Sequence, residues 1–573
     1  MRIALLLSLF LISGTNGQDK LLDRFKPREL PSPLTTATPD ESPDAADETS
    51  PTANPAEEAT GISLRGIVLL NSPDGFNPDG GPSVDGVVSD ALPLVNNDKF
   101  RASLTPFIGR PLTFSMVQSI AFDIARWYND HDLPVVSVIA PEQDITNGVV
   151  HFVVTEAHLG KVEIVGNRWF KSELFTPRIE PGDPIILSTL EADAAFLSRN
   201  PFHSVMMSME PGAGTGETDV SLLVNDKYPF RVFAGYEDSG VQSTGEHRLY
   251  GGFNWGNVGG LDHQLNYQYL TDTDFERVMA HSAVYTVPLP WRHLLTFTGT
   301  YAESEPVLGG LFDLSGESWQ LGSRYIIPLR KLGKIKHEVA IGYDFKFTNN
   351  NLLFGGVQVF DTPVEVSQFS LGYLASLPDR WGSTTFSANG FWSPGGMGSH
   401  NNDVDFNAAR VGSDSDYVYA TLGLDRITRL PFHFTLATSA NGQLSAGNLQ
   451  ATEQFLLGGY STVRGYDELV VAEDKGLLLR NEIYTPPFSL LQMAGVSNVQ
   501  DQLQFLAFYD FGFAEIADPL PGEDKHIELQ SAGLGLRWQI ATNATVRFDY
   551  GWQLEDIGLP DSSRAHMGVT VTY

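Results

Sequence analysis

Two residues far apart in this 573-residue chain have the types and settings to do chemistry together, an arginine and an aspartate. Arg464 lies in Phe455-Leu-Leu-Gly-Gly-Tyr-Ser-Thr-Val-Arg464-Gly465-Tyr466-Asp-Glu468, a stretch too rich in glycine and small polar residues to make a good strand. Asp510 lies in Phe508-Tyr-Asp510-Phe-Gly512, which alternates as a strand does. Successive strand residues point to opposite faces, so Phe508, Asp510 and Gly512 share one face, and Tyr509, Phe511 and Phe513 share the other. The chemistry open to the pair is a tether and not a reaction. A guanidinium is always charged and presents a planar fork of donors. Against a carboxylate in a partly dry site it makes a charge-assisted bond worth roughly 1.5–3 kcal/mol. Residue types alone favour a plainer reading, an exposed loop arginine and a solvated aspartate. Choosing between the two requires the elements that carry them.

Signatures of enzymes are missing: no Gly-x-Ser-x-Gly elbow, no His-Glu-x-x-His and no phosphate loop ending Gly-Lys-Ser/Thr. Gly212-Ala-Gly214-Thr-Gly216 resembles a nucleotide loop only superficially, because it joins two strands and opens no helix. Asp74-Gly-Phe-Asn77-Pro-Asp79-Gly80 has the wrong spacing for a calcium loop of the EF-hand type. There is no cysteine, hence no disulfide and no thiolate metal site. Neither catalytic residues, nor a cofactor, nor a metal is expected. A formal charge of −32, with 69 acidic against 37 basic residues, argues against a nucleic-acid partner.

The N-terminus, Met1-Arg2 followed by the apolar run 3–12 and small residues through Gly17, reads as a secretory signal peptide over 1–17. No later run is long and apolar enough for a transmembrane helix, so any membrane crossing is by strands. Residues 18–60 are an acidic, Pro-rich linker; 20–26 could make two helical turns before Pro27. Residues 61–157 read as β-α-α-β-β: a strand over 62–70, a long loop over 71–97, helices over 100–107 and 114–128, and strands over 135–139 and 149–155. The same order recurs over 158–227, with a strand at 162–165, a helix starting at 171–175, a helix over 187–197, and strands over 204–210 and 218–223. Two such α+β units in succession suggest paired POTRA domains.

From 228 to 573 helix signals vanish. Sixteen segments alternate apolar and polar residues between Gly/Asp/Asn/Pro turns, the first near Phe230, the sixth near Trp319, the eighth near Val364 and the last near Met567. An all-β, antiparallel, sixteen-stranded transmembrane barrel follows. An ionised aspartate does not face lipid cheaply, so Asp510 faces the lumen. With the small domains on the periplasmic side, the connection over 446–475 starts at the cell surface, and its length marks a loop folded into the pore. Arg547, Asp549 and Glu482 read as further pore-lining charges, engaged in wall packing and not in substrate contact.

The order of these parts resembles the haemolysin secretion/activation proteins (ShlB/FhaC/HecB) of the BamA-like superfamily. Pro141-Glu-Gln143-Asp144 resembles their first POTRA domain. Leu197-Ser-Arg-Asn-Pro201 and Gly216-Glu-Thr-Asp219 resemble the second, and Asp238-Ser-Gly240 with Thr244-Gly245 the opening of the barrel. Val463-Arg464-Gly465-Tyr466 and Phe508-x-Asp510-x-Gly512 match the superfamily's loop and strand motifs. The resemblance implies an outer-membrane translocase that exports an unfolded partner exoprotein by two-partner secretion. Arg464, Gly465, Tyr466 and Asp510 would form a pore-loop latch, with Phe508 and Gly512 completing the strand motif. The implied partners are a secreted exoprotein bound through the POTRA domains (with 187–207 a capture surface), outer-membrane lipid, and the barrel-assembly machinery. The family's N-terminal plug helix has only the short 20–26 as a counterpart. Rival readings are a barrel-assembly factor, a passive porin and an outer-membrane hydrolase; the last would need a Ser–His pair that the sequence does not show.

Overall fold

The computed structural model describes residues 61–79, 83–307, 312–354 and 357–573; the signal-peptide, linker and short-helix readings within 1–60 lie outside them. The described chain divides into two compact units between Lys227 and Tyr228.

The first unit contains two small α+β domains. In the first domain, apolar residues at helical spacing bury Ile120, Ile124 and Tyr128 of the helix Phe114–Asp130. Thr113 caps that helix by accepting from the Met116 backbone N–H at 3.2 Å. Its sheet runs in the order Gly86–Val88, Gly66–Leu70, Val149–Glu156, Val136–Ile139. The stretch over 71–97 is therefore not all loop. Gly86–Val88 pairs in parallel with Gly66, Ile67 and Val68, too short a run to show a period in sequence. The helix expected over 100–107 is an α-helix, Asp98–Leu104, followed by the 3-10 turn Thr105–Phe107. Gln143 explains the Pro141-Glu-Gln-Asp run: its Oε1 accepts from the His151 N–H at 2.8 Å and its Nε2 donates to the His151 carbonyl at 2.9 Å. One side chain thus satisfies both backbone groups of a buried strand residue.

The second domain has a three-stranded sheet in the order His158–Val165, Glu217–Asp226, His203–Pro211. Its helix is Leu187–Leu197, whereas the helix expected to start at 171–175 is a single 3-10 turn, Ser172–Phe175. Asp219 accepts from the Lys161 N–H at 2.7 Å, across the irregularity between Leu159 and Val162. The domains are joined at Asp132, whose Oδ1 accepts from the Ser188 N–H at 2.8 Å.

The second unit is a closed antiparallel barrel of sixteen strands. Its faces invert the pattern of a water-soluble protein. Leu321, Ile341, Leu371 and Leu534 are exposed outward, while Gln268, Gln320, Lys346 and Gln443 are buried inside, the arrangement a bilayer requires of a barrel. Strands run from 8 to 23 residues. The sixth, seventh and eighth strands (Phe312–Pro328, Lys336–Phe354, Val357–Asp379) exceed the roughly 9–11 residues that span a bilayer. They begin or end beyond the apolar alternation, so starts read at Trp319 and Val364 fall inside the strands and not at their ends. The last strand likewise begins at Ser563, ahead of Met567. Closure pairs Gly568–Thr572 with Phe233–Glu237. Asp238, in the Asp-Ser-Gly run, bridges that seam by accepting from the Met567 N–H at 2.8 Å.

Candidate functional site

The connection between the eleventh strand (Thr435–Ser445) and the twelfth (Lys475–Tyr484) folds into the lumen. Its own framework is a short hairpin, Phe455–Leu457 paired with Val471–Glu473. Phe455, Leu457, Val463, Tyr466 and Val471 are buried together with the wall residues Leu478, Ala514 and Leu529. Burial of this apolar face supplies the loop's non-specific hold. Polar contacts decide its position.

At the tip, Arg464 is fully buried, as is Asp510 on the thirteenth strand, Asp501–Glu515. Arg464 Nε donates to Asp510 Oδ2 at 2.7 Å and Nη2 to Oδ1 at 2.8 Å, a two-pronged pair. The Arg464 backbone N–H donates to the same carboxylate at 3.2 Å. Nη1 donates to Glu482 Oε1 at 2.6 Å and lies 3.5 Å from Asp549 Oδ1. The Phe508 ring centroid lies 3.6 Å from the guanidinium carbon, closing the remaining face. Removing one partner of a buried pair costs about 3–5 kcal/mol where the survivor is left charged and dry.

The residues flanking Arg464 are fixed by fit. Gly465 has φ of +90°, and a Cβ there would come within 2.9 Å of the Gly551 backbone, so only glycine suits the conformation and the approach. Its N–H donates to His566 Nε2 at 3.1 Å, and its carbonyl accepts from Gln553 Nε2 at 2.8 Å. The Tyr466 hydroxyl lies between the carbonyls of Gln530 and Glu555, at 2.9 and 2.7 Å, with one proton to give to either. Gly512 gives room to the loop, since a Cβ there would lie 2.9 Å from Leu457 Cδ1 and from Val463 Cγ2. Val463 and Arg464 meet the strand motif, whereas Gly465 and Tyr466 are seated on Gly551, Gln553, His566 and the carbonyls of Gln530 and Glu555. All six residues singled out in them share one site.

Wall charges complete it. Arg547 Nη2 donates to the Tyr460 carbonyl at 2.7 Å, with its guanidinium carbon 3.8 Å from the Tyr460 ring centroid. Arg480 Nη1 donates to the Ser461 carbonyl at 2.9 Å. Asp549 is held by Arg537 and Arg547 at 2.8 and 2.7 Å.

Two more anchors lie at the loop's neck, away from the tip. Glu453 is fully buried and accepts from Lys346 Nζ at 2.6 Å, Gln368 Nε2 at 3.0 Å and the Tyr419 hydroxyl at 2.6 Å. Those partners come from the seventh, eighth and tenth strands, across the barrel in sequence from the Asp510 wall. Asp474 accepts from Arg410 Nη2 at 3.0 Å and from the Leu449 N–H at 2.8 Å, stapling the two ends of the loop to each other.

Residues 216–538 match the haemolysin secretion/activation protein family (ShlB/FhaC/HecB), more than half of the chain. The chain belongs to that family. Residues 83–157 match its POTRA domain, ShlB-type. The heme/hemopexin transporter protein HuxB of Haemophilus influenzae (strain 86-028NP) is 23% identical over 482 residues, 81% of each chain. The outer membrane transporter CdiB of Dickeya dadantii (strain 3937) is 24% identical over 68% of this chain and 70% of its own. The solved structure of CdiB from Escherichia coli superposes with a TM-score of 0.72 at 19% identity, covering 91% of this chain and 93% of that one. A haemolysin secretion/activation protein is an outer-membrane barrel of the two-partner secretion type, with its POTRA domains in the periplasm. Family members are transporters.

Glu453, Lys346, Arg410 and Asp474 had no signal in a linear reading. Arg480 did have one, for it stands two residues from Glu482 and shares its inward face. Among the described residues, no group of three or more His, Asp or Glu is placed to hold a metal ion.

Proposed function

We propose that the chain exports an unfolded partner exoprotein through its barrel, and that the loop bearing Arg464 is the gate that must leave its seat. The observation that carries this reading is the buried, two-pronged Arg464–Asp510 pair, which holds a long loop across the lumen by a breakable bond. Residues 1–17 direct the chain to the periplasm and 18–60 act as a linker. The domains over 61–157 and 158–227 act as a POTRA pair that receives the cargo. His203–Pro211 is an edge strand with one sheet neighbour, and an extended cargo segment adds beside it through backbone hydrogen bonds. Capture falls on 187–207, which includes the first residues of that strand.

Release is eased by the wall itself. With Arg464 gone, Asp549 keeps both Arg537 and Arg547. Glu482 keeps the Tyr484 hydroxyl at 2.5 Å. Asp510 has Arg480 at hand: that arginine's Nε, buried and with no hydrogen-bond partner among the described residues, lies 3.8 Å from Asp510 Oδ1. The open state thus strands no bare carboxylate, which lowers the barrier to opening relative to an isolated buried pair. No nucleotide drives the cycle, and folding of the cargo outside supplies direction.

The test is reconstitution. The exported protein lost from culture fluid on deletion of this gene is identified, unfolded, and offered to liposomes carrying the purified transporter without nucleotide. Protease-protected cargo inside supports the reading. Steady diffusion of small solutes without cargo uptake would make the protein a porin, and inserted client barrels would make it an assembly factor.

A further inference from the structure

The two rims of the barrel carry opposite charge. The cell-surface connection over 554–562 holds Glu555, Asp556 and Asp561 with no Lys or Arg, and the one over 516–525 holds Asp518, Glu523 and Asp524 against Lys525. On the periplasmic rim the sign reverses. The turn over 289–293 carries Arg292, the turn over 329–335 carries Arg330, Lys331 and Lys334, and 380–381 carries Arg380; none of the three contains Asp or Glu. In a chain of formal charge −32 this is a local excess of cations on one side.

The barrel order places these turns side by side. They join the fourth to the fifth, the sixth to the seventh, and the eighth to the ninth strand, all consecutive in the sheet. Successive turns are two strands apart, about 10 Å at the usual strand spacing. The central turn is rigid, since Leu332 and Ile335 exchange backbone hydrogen bonds at 3.0 and 2.9 Å, and it displays Arg330, Lys331 and Lys334 to solvent. Two carboxylates stand close by: Asp379, engaged by Arg426 at 2.8 Å, and Glu338, paired opposite Pro328 at the start of the seventh strand.

Aromatic residues mark the depth. Trp291 and Trp381, in the flanking turns, are 54% and 55% exposed. Trp291 Nε1 donates to the Tyr325 hydroxyl at 2.9 Å, and the Arg380 guanidinium carbon lies 4.6 Å from the Trp381 ring centroid. Tryptophan and tyrosine at the rim of a membrane barrel sit at headgroup level, with lipid-facing side chains such as Ile341 and Leu371 beyond them.

We propose that these three turns form a binding surface for anionic phospholipid headgroups of the periplasmic leaflet. The phosphodiester is met by an arc of cations, and the acyl chains lie along the outward apolar face of the fourth to ninth strands. Charge complementarity selects this occupant: an anionic headgroup gains from every cation on the arc, whereas a zwitterionic one presents no net charge to it.

The experiment is native mass spectrometry of the full-length transporter, purified with excess phosphatidylglycerol or phosphatidylcholine, with retained lipid counted. The wild-type chain should retain phosphatidylglycerol preferentially. Combining Arg330→Gln, Lys331→Gln and Lys334→Gln should reduce that preference about tenfold or more, each exposed cation being worth roughly fivefold. Barrel folding is verified by heat-modifiable gel mobility, and Glu555→Gln with Asp556→Gln on the opposite rim should leave retention unchanged. Equal retention of the two lipids by the wild type, or a preference that survives the triple variant, would overturn the proposal. So would unchanged lipid retention together with lost export in the triple variant, which would assign the rim to the exported chain.

Discussion

Arg464 reaches Asp510 with two separate nitrogens, one for each carboxylate oxygen, at 2.7 and 2.8 Å. A lysine can supply the charge but not the fork. In the closed lumen the difference matters, because every lone pair left without a donor is buried.

Arg464→Lys is therefore expected to keep a folded barrel while weakening the hold of the tip. Arg464→Ala and Asp510→Ala leave the loop without the seat it must return to in each cycle, and should reduce exported partner in culture fluid at least about tenfold. Barrel level and heat-modifiable mobility in isolated outer membranes separate lost export from lost folding. Normal export by either alanine variant would remove the latch from the mechanism.

The neck anchor gives a second, independent handle. Glu453→Ala leaves Lys346 buried without its carboxylate partner, while Lys346→Met combined with Glu453→Gln removes both charges. The single variant should be the less stable by about 3 kcal/mol or more, and the double variant should recover most of the loss. Urea unfolding followed by tryptophan fluorescence measures the order. Channel recordings in planar bilayers should show more frequent openings for the single variant.

Gly465→Ala tests fit and not charge. The left-handed φ and the 2.9 Å approach to Gly551 leave no room for a Cβ, so the tip must withdraw. Greater protease sensitivity near Arg464 is the expected readout, whereas Gly447→Ala, whose Cβ would meet nothing nearer than 3.9 Å, should behave as wild type.

A pH effect is expected in the first periplasmic domain. Burial holds the His151 imidazole below its usual 6.5, so the folded domain keeps it neutral while the unfolded chain takes up a proton. The unfolded state then binds more protons below about pH 6.5, and stability falls as pH falls through that range. Hydrogen-exchange protection of the strand Val149–Glu156 should drop on acidification in the wild type. His151→Gln should flatten the dependence.

How much of this was legible in the sequence differs from part to part, for physical reasons. Barrel strands announce themselves where one face meets lipid, because alternation is enforced there. Beyond the bilayer it is not, and the polar Asn349-Asn-Asn351 end of the seventh strand shows no such signal, although it pairs in register with Ser315-Gly-Glu317. The Gly86–Val88 strand gives no signal in sequence, because three residues cannot display a period. Arg464 and Asp510 are marked by the family's motifs more than by their types. Glu453 had no such help, for its partners Lys346, Gln368 and Tyr419 meet it only once the barrel closes. A carboxylate in a glycine-rich loop says nothing in one dimension about a lysine four strands earlier in the barrel.

The central claim is that the loop must leave its seat for cargo to pass, and a reversible lock tests it. Val463 Cγ2 lies 2.9 Å from the position a Cβ on Gly512 would take, and the chain has no native cysteine to interfere. Cysteines at both positions place a disulfide between loop tip and wall, within the reach such a bond needs, with Leu457→Ala in the same chain clearing the side chain that the new Cβ would meet at 2.9 Å. With the bond verified by gel shift, export of the partner should stop under oxidising conditions and resume on adding reductant. Export at one rate in both conditions, with the bond intact, would contradict the account.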